Sequence, residues 1–257
     1  MWIDQLGNQI ERKSYQRIVS IVPSQTELLY EMGLGERVVG ITKFCIHPDS
    51  WYSTKARVGG TKNVAIDRVR ALEPDLIIGN KEENDKENIG ALKEIAPLWM
   101  SDIYNLKDNY AMIHKLGQVL AVEKQAQAII EKINHEFTNL KPFGKGKRCL
   151  YLIWRNPYMG AAKNTFIDFM LTKVLGFINA LEKEVRYPQI NLESFAEVPD
   201  YIFLSSEPYP FNSLHIQELN AFFPASKIIL VDGELFSWYG SRLIHAPAYF
   251  KELMHQL

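Results

Sequence analysis

The sequence predicts an α/β protein built from two similar lobes with mostly parallel sheets, joined by one long backbone helix. Three observations predict it. Short β-branched runs alternate with helical spacings in both halves of the chain. A helix, a Pro-Asp turn and a buried run recur at an offset of 125 residues. A helical stretch free of Gly and Pro lies between the halves.

Taken in order, Ile18-Val19-Ser20-Ile21-Val22 reads as a buried strand, and Gln25 to Met32 as a helix that Gly33 ends in the left-handed conformation. Val38 to Thr42 is a second strand. Ile66 to Leu72 is a short helix stopped before Pro74, because the residue before proline avoids the helical region. Asp75 to Gly79 is a third strand, followed by a helix from about Asn84 to Ile95 and a short strand at Leu98 to Met100. In the second half the strands are Arg148 to Trp154, Asp200 to Leu204 and Lys227 to Val231. The helices are Thr165 to Leu175, a short one at Leu192 to Glu197, and a last one from about Pro247. Strands alternating with helices imply parallel sheets covered on both faces.

The recurrence sets Pro74 with Pro199, Asp75 with Asp200 and Glu82 with Glu207. Between the halves, Val122, Ala126, Ile129, Ile130, Ile133, Phe137 and Leu140 fall at steps of three and four, so Val122 to Lys141 predicts a rod of about 30 Å. Pro142-Phe143-Gly144 breaks it. The expected organisation is a lobe over 1–115, a linking helix over 116–142 and a lobe over 143–257. A single rod predicts limited hinge motion.

The 257 residues suffice for two cores. A net charge of -1 with mixed signs lacks the basic footprint of a nucleic-acid binder. No apolar run reaches the roughly 20 residues of a membrane span. The opening residues Met1 to Asn8 have neither a basic nor an apolar signal-peptide region, which leaves a cytoplasmic location open. Cys45 and Cys149 lie in different halves, and free thiols are expected.

In open α/β sheets the loops after the strand carboxyl ends form the binding crevice. Those loops supply Phe44, Cys45 and His47, then Trp154, Arg155 and Tyr158, then Tyr187, and finally Glu234, Phe236, Trp238, Tyr239 and Arg242. Several large rings suit a large flat ligand, although such rings also cover lobe edges. Arg155 and Arg242 suit a ligand's carboxylates or phosphate, with an ion pair between lobes as the competing reading. Cys45 and His47 with His245 form a candidate metal set. Asp67 and Glu193 open the paired short helices, where an acid favours the helix dipole.

At Ser20-Ile21-Val22-Pro23-Ser24-Gln25-Thr26-Glu27-Leu28 the chain resembles the helical-backbone periplasmic binding proteins, which serve ABC importers for vitamin B12, ferric siderophores and haem. Within that family it is most similar to the vitamin B12 receptors. Val39-Gly40-Ile41, His47-Pro48 and the run Ala71 to Ile78 carry the resemblance further. It implies two lobes, ligand in the cleft, an extracytoplasmic location, an inner-membrane ABC permease as partner and a monomer. It implies no catalysis and no intrinsic cofactor; the ligand is expected to be a cobalt- or iron-containing chelate. Family cleft aromatics fall on Phe44 and Tyr187, and the last pocket segment on Glu234 to Trp238. Thr61 and Asn80 stand where those receptors present tryptophans, which reduces the stacking surface for a corrin. Asp67 and Glu193 match the acids that meet permease arginines. The alternatives are a cytoplasmic chelatase-like enzyme acting on a tetrapyrrole and a metal-ion sensor using Cys45 and His47. No nucleophile elbow, P-loop or dinucleotide fingerprint supports an enzyme.

Overall fold

The computed structural model describes residues 1–195 and 197–257. Two compact units emerge: Met1–His135 with Tyr239–Ile244, and Glu136–Trp238 with His245–Leu257.

The first unit opens with a two-stranded antiparallel hairpin, β1 (Trp2–Ile3) and β2 (Gln9–Ile10). There follow β3 (Ile18–Ser20), α1 (Pro23–Glu31), β4 (Val38–Ile41), α2 (Asp49–Thr54), β5 (Ala56–Arg57), α3 (Ile66–Ala71), β6 (Leu76–Asn80), α4 (Lys86–Lys93), β7 (Leu98–Ser101), α5 (Leu106–Leu120) and α6 (Glu123–Thr138), whose residues from Glu136 on belong to the second unit. The main sheet is all parallel in the order β5-β4-β3-β6-β7. Strand order reverses between β3 and β6, which makes that boundary the switch point. Val19, Ile21, Val58, Val69, Ile77 and Leu92 form a core on one face of the sheet.

The second unit holds β8 (Arg148–Trp154), β9 (Met159–Gly160), α7 (Phe166–Phe169), β10 (Ile178–Asn179), β11 (Tyr201–Ser205), α8 (Ser213–Phe222), β12 (Lys227–Val231), α9 (Gly233–Ser237) and α10 (Ala246–Met254). A π turn at Met170–Val174 extends α7. Its parallel strands run β10-β8-β11-β12, with β9 antiparallel to β8. The switch point lies between β8 and β11. Leu150, Leu152, Ile202, Leu204, Leu219 and Phe223 pack its core.

The recurrence at 125 residues has one structural meaning in both units. The Asp75 carboxylate accepts the backbone N–H groups of Gln16 (2.6 Å) and Arg17 (2.9 Å), just before β3. The Asp200 carboxylate accepts the N–H of Arg148 (2.8 Å), where β8 begins. Each aspartate fastens the start of its own strand to the neighbouring strand across the switch point. Burial of part of Asp200 is outweighed by the Arg148 N–H and the Lys147 ammonium, which hold its carboxyl below the usual range.

Three expectations need correction. The rod is shorter than Val122 to Lys141. Ala121 adopts the left-handed conformation (φ 55°) and separates α5 from α6, so residues 116–120 finish α5. The turn Tyr239–Ile244 folds with the first unit, not with the carboxyl-terminal half. There, Gly240 N–H donates to Asn109 Oδ1 (2.6 Å) and Arg242 Nε donates to Glu27 Oε2 (2.9 Å). The short helix expected at Leu192 to Glu197 is absent from the described residues, which show only a turn at Glu193-Ser194; Ala196 lies outside them. Its partner in the first half, α3, does form. Four helices, α2, α5, α8 and α9, were not anticipated.

Candidate functional site

In each unit the loops at the carboxyl ends of the strands carry the candidate residues, and the two sets differ in chemistry.

In the first unit the loop after β6 is shaped by two asparagines. Asn80 Oδ1 accepts the N–H groups of Glu82 (2.8 Å) and Glu83 (3.2 Å), while its Nδ2 donates to Ser101 O (3.1 Å). Asn84 Oδ1 accepts the N–H of Asn80, and its Nδ2 donates to Ile21 O (3.2 Å) and Thr61 O (3.1 Å). The loop after β3, the loop before α3 and the loop after β6 are thereby tied into one piece. Asn80 is buried and its amide is spent on this frame, so it positions the loop instead of facing a ligand. The carboxylates of Glu82 and Glu83 are what the loop carries. Burial raises the Glu83 carboxyl above its ordinary value, although Lys62 opposes the shift.

Phe44 stands beside this frame and is 51% exposed. Lys43 Nζ lies 5.0 Å from the centre of its ring. Gly60 makes room for that ring, since a Cβ there would lie 3.1 Å from Phe44 Cε2. Phe44 and the Gly60-Thr61 corner therefore form one patch. Tyr239 is buried in the same unit, and burial, with the nearby charge of Glu83, pushes its phenol well above the usual value. Arg242 is held by Glu27, both side chains being 14% exposed. The ion pair expected as its competing reading exists, but within the first unit.

Cys45 and His47 do not form a metal site. The Cys45 thiol is fully buried, 3.1 Å from both Thr26 Oγ1 and Thr42 Oγ1, and burial raises its pKa against thiolate formation. No group of three or more His, Cys, Asp or Glu able to hold a metal exists among the described residues. His245 is exposed and stands at the N-cap position of α10 without a side-chain hydrogen bond to the helix. Cys45 is thus a core residue, and Cys149 is likewise buried and free.

In the second unit the residues meet more closely. Arg155 Nε and Nη2 both donate to Glu218 Oε2 (3.1 and 2.8 Å), and the Tyr158 hydroxyl donates to Glu218 Oε1 (2.8 Å). Burial opposes charge on Glu218, but the guanidinium and the phenol outweigh it and hold the carboxyl below its ordinary range. Burial and the Glu218 charge push the Tyr158 phenol up to about 12. Trp154 ends β8 with 40% of its surface exposed and meets Tyr209 edge to face, with ring centroids 5.8 Å apart. The Asn212 N–H donates to His215 Nδ1 (3.0 Å), so Nε2 carries the proton that faces the Tyr209 hydroxyl (3.0 Å).

Glu207 Oε1 accepts from Trp238 Nε1 and Ser237 Oγ, each at 2.8 Å. Glu234 sits in the first turn of α9, half-buried. Tyr187 lies 5.6 Å from the Arg186 guanidinium, in a segment joined to β9 through Gly160 N–H and Pro188 O. Phe236 is the exception. It is wholly buried against Tyr151, Phe203 and Phe250, so it belongs to the core and not to a binding surface.

Glu82, Glu83, Tyr209, His215 and Glu218 were missed as site residues. Glu82 and Glu207 were visible as members of the recurrence. Glu218 left no local signal, because α8 brings it to Arg155 across 63 residues.

The family model described as periplasmic binding protein matches residues 18–225. The chain belongs to the periplasmic binding protein family. This periplasmic binding protein is 27% identical over 215 residues to an uncharacterised ABC transporter substrate-binding lipoprotein of Bacillus subtilis strain 168, covering 78% of this chain and 67% of the relative. It is 23% identical over 241 residues to a vitamin B12-binding protein of Pectobacterium carotovorum, covering 90% of this chain and 85% of the relative. Among solved structures, a periplasmic haem-binding protein of Roseiflexus sp. RS-1 superposes with a TM-score of 0.79 at 19% identity, over 95% of this chain and 99% of that one. That likeness establishes the fold: the two-lobed α/β class with parallel sheets and a backbone helix, as the sequence predicted.

Proposed function

We propose that this chain is the extracytoplasmic substrate-binding component of an ABC importer and that it takes up a metal chelate: a corrinoid, a haem or a ferric siderophore. The single observation that carries this reading is the cluster of aromatic rings and a fixed guanidinium at the end of β8, within a periplasmic binding protein fold. Trp154 and Tyr209 offer exposed aromatic area, and beside them Arg155 is held in place by Glu218. Flat conjugated ligands gain roughly 25 cal/mol per Å² of apolar surface buried, before the costs of binding. A guanidinium already oriented by a carboxylate loses little freedom on meeting a ligand's acidic group. The B12-binding and haem-binding names of the relatives point to the same ligand class. Family resemblance adds ferric siderophores.

Phe44 and Thr61 supply the ligand surface of the first unit in this reading, and Tyr187, Glu234 and Trp238 belong to that of the second. Asp67 and Glu193 are the permease contacts. Both are exposed, Asp67 almost completely. The protein acts as a monomer and has no enzymatic activity.

The test is titration of the purified protein with cobalamin, cobinamide, haemin and ferric siderophores, following tryptophan fluorescence. Saturable binding of one of them without its chemical change is expected. Turnover of a tetrapyrrole, or indifference to all four, would refute the proposal.

A further inference from the structure

A second site lies at the other end of the first unit's sheet. Tyr15 precedes β3 and Arg37 precedes β4, so this region flanks the amino ends of strands whose carboxyl ends form the crevice. A cavity of about 300 Å³ opens there, with Trp2, Arg12, Lys13, Arg37 and Leu120 in its wall. That volume is at the lower bound of small-ligand pockets. Among the described residues none that lines it is acidic.

The three cations are arranged unequally. Arg37 is fixed: its Nε donates to Tyr15 O (2.6 Å) and its Nη1 to Leu120 O (2.7 Å). Both hydrogen-bond partners are neutral carbonyls, the nearby Asp75 carboxylate offsets the charge only in part, and Nη2 remains to donate. Arg12 lies over the Trp2 ring at 4.3 Å, which orients it without neutralising it. Lys13 lies 3.9 Å from Glu11 on the surface and 5.6 Å from the centre of the Tyr15 ring. Charges of one sign held around a concave wall focus the field on whatever enters. Guanidinium forks match the geometry of phosphate oxygens better than any neutral group.

We propose that this pocket binds a phosphate group. Free phosphate and the headgroup of an anionic phospholipid share that chemistry. Met1 and Ile3, exposed on the hairpin that carries Trp2, make the lipid source a real arm of the test.

Inorganic phosphate is titrated into the full chain by calorimetry, and the protein is co-sedimented with phosphatidylcholine vesicles with and without phosphatidylglycerol. Saturable phosphate binding that weakens about tenfold in R12Q and again in K13Q is expected, since each removes one charge at close range. Co-sedimentation only with phosphatidylglycerol, lost in the same variants, assigns the lipid source; phosphate binding without co-sedimentation assigns the free anion. R12Q and K13Q leave the Arg37 carbonyl contacts intact, and circular dichroism checks that both fold. Phosphate binding unchanged in R12Q/K13Q, or no response to phosphate or to either vesicle, overturns the proposal. Chelate titrations of R12Q/K13Q stay at wild-type affinity, so failure here is separable from failure of the importer reading.

Discussion

Glu218 illustrates how one side chain organises a crevice. It fixes Arg155 by two donated hydrogen bonds and Tyr158 by a third, and it is charged because those partners outweigh its burial. Its folded-state pKa is depressed, so the unfolded chain takes up the proton first as pH falls. The contribution of this cluster is therefore fully present above the ordinary glutamate value of about 4.3 and is lost as pH drops through the lower folded value. Chelate affinity should accordingly hold from neutrality down to the ordinary glutamate value of about 4.3 and decline only below it. In Glu218→Gln that acid limb should vanish and affinity at pH 7 should already be reduced; a wild-type pH profile in the variant would count against the cluster. Trp154→Ala tests the aromatic face. With 40% of its surface exposed, Trp154 contributes little to the core, so stability should change by less than about 1 kcal/mol while chelate affinity falls about tenfold. Equal binding by the variant would remove Trp154 from the site.

At the scale of elements, the amino-terminal sheet depends on a close approach at Gly40. A Cβ there would meet Leu72 Cδ1 at 2.5 Å and Val19 and Val58 methyls at 3.2 Å. Gly40→Ala should cost about 1–3 kcal/mol by overpacking where α3 meets the sheet, read as a lower urea midpoint at unchanged slope. An unshifted midpoint would mean the Leu72 end of α3 moves freely. The turn Gly240–Ile244 is a second such element. Gly240 has φ +84° and lies 3.2 Å, by its absent Cβ, from Ser24 O, so a side chain is disfavoured twice. The fastening through Glu27 and Asn109 explains why this carboxyl-terminal stretch folds with the first unit. Sequence spacing revealed α1, α3, α4 and α6 through their apolar steps and α1's stop through Gly33. It also held α5, in Met112, Ile113, Leu116 and Leu120, but Ala121 carries no sign of the left-handed break that divides α5 from α6.

For the whole molecule, the importer reading makes a prediction that ligand binding alone does not. Asp67→Arg and Glu193→Arg are surface changes and should leave chelate affinity within about twofold of wild type, with stability within about 0.5 kcal/mol. Binding to the cognate permease in vesicles should fall, because one exposed acid per unit would face a permease cation with the wrong sign. Undiminished permease binding by both variants would sink the docking role. A bound chelate at 100 times its dissociation constant should also add about 2.7 kcal/mol to unfolding free energy, visible as a raised Tm.

Alternating apolar runs and helical steps fixed the α/β class by themselves, because strand and helix periods are local properties of the chain. The same is true of Pro74-Asp75 and Pro199-Asp200, which mark equivalent strand starts in both units. Tertiary structure alone decided the orders β5-β4-β3-β6-β7 and β10-β8-β11-β12, and with them which loops share a crevice. It alone turned Cys45 and Phe236 inward and brought Glu218 to Arg155. Strand order and side-chain burial follow from packing between residues far apart in sequence, and such packing leaves no periodic mark on the residues it joins.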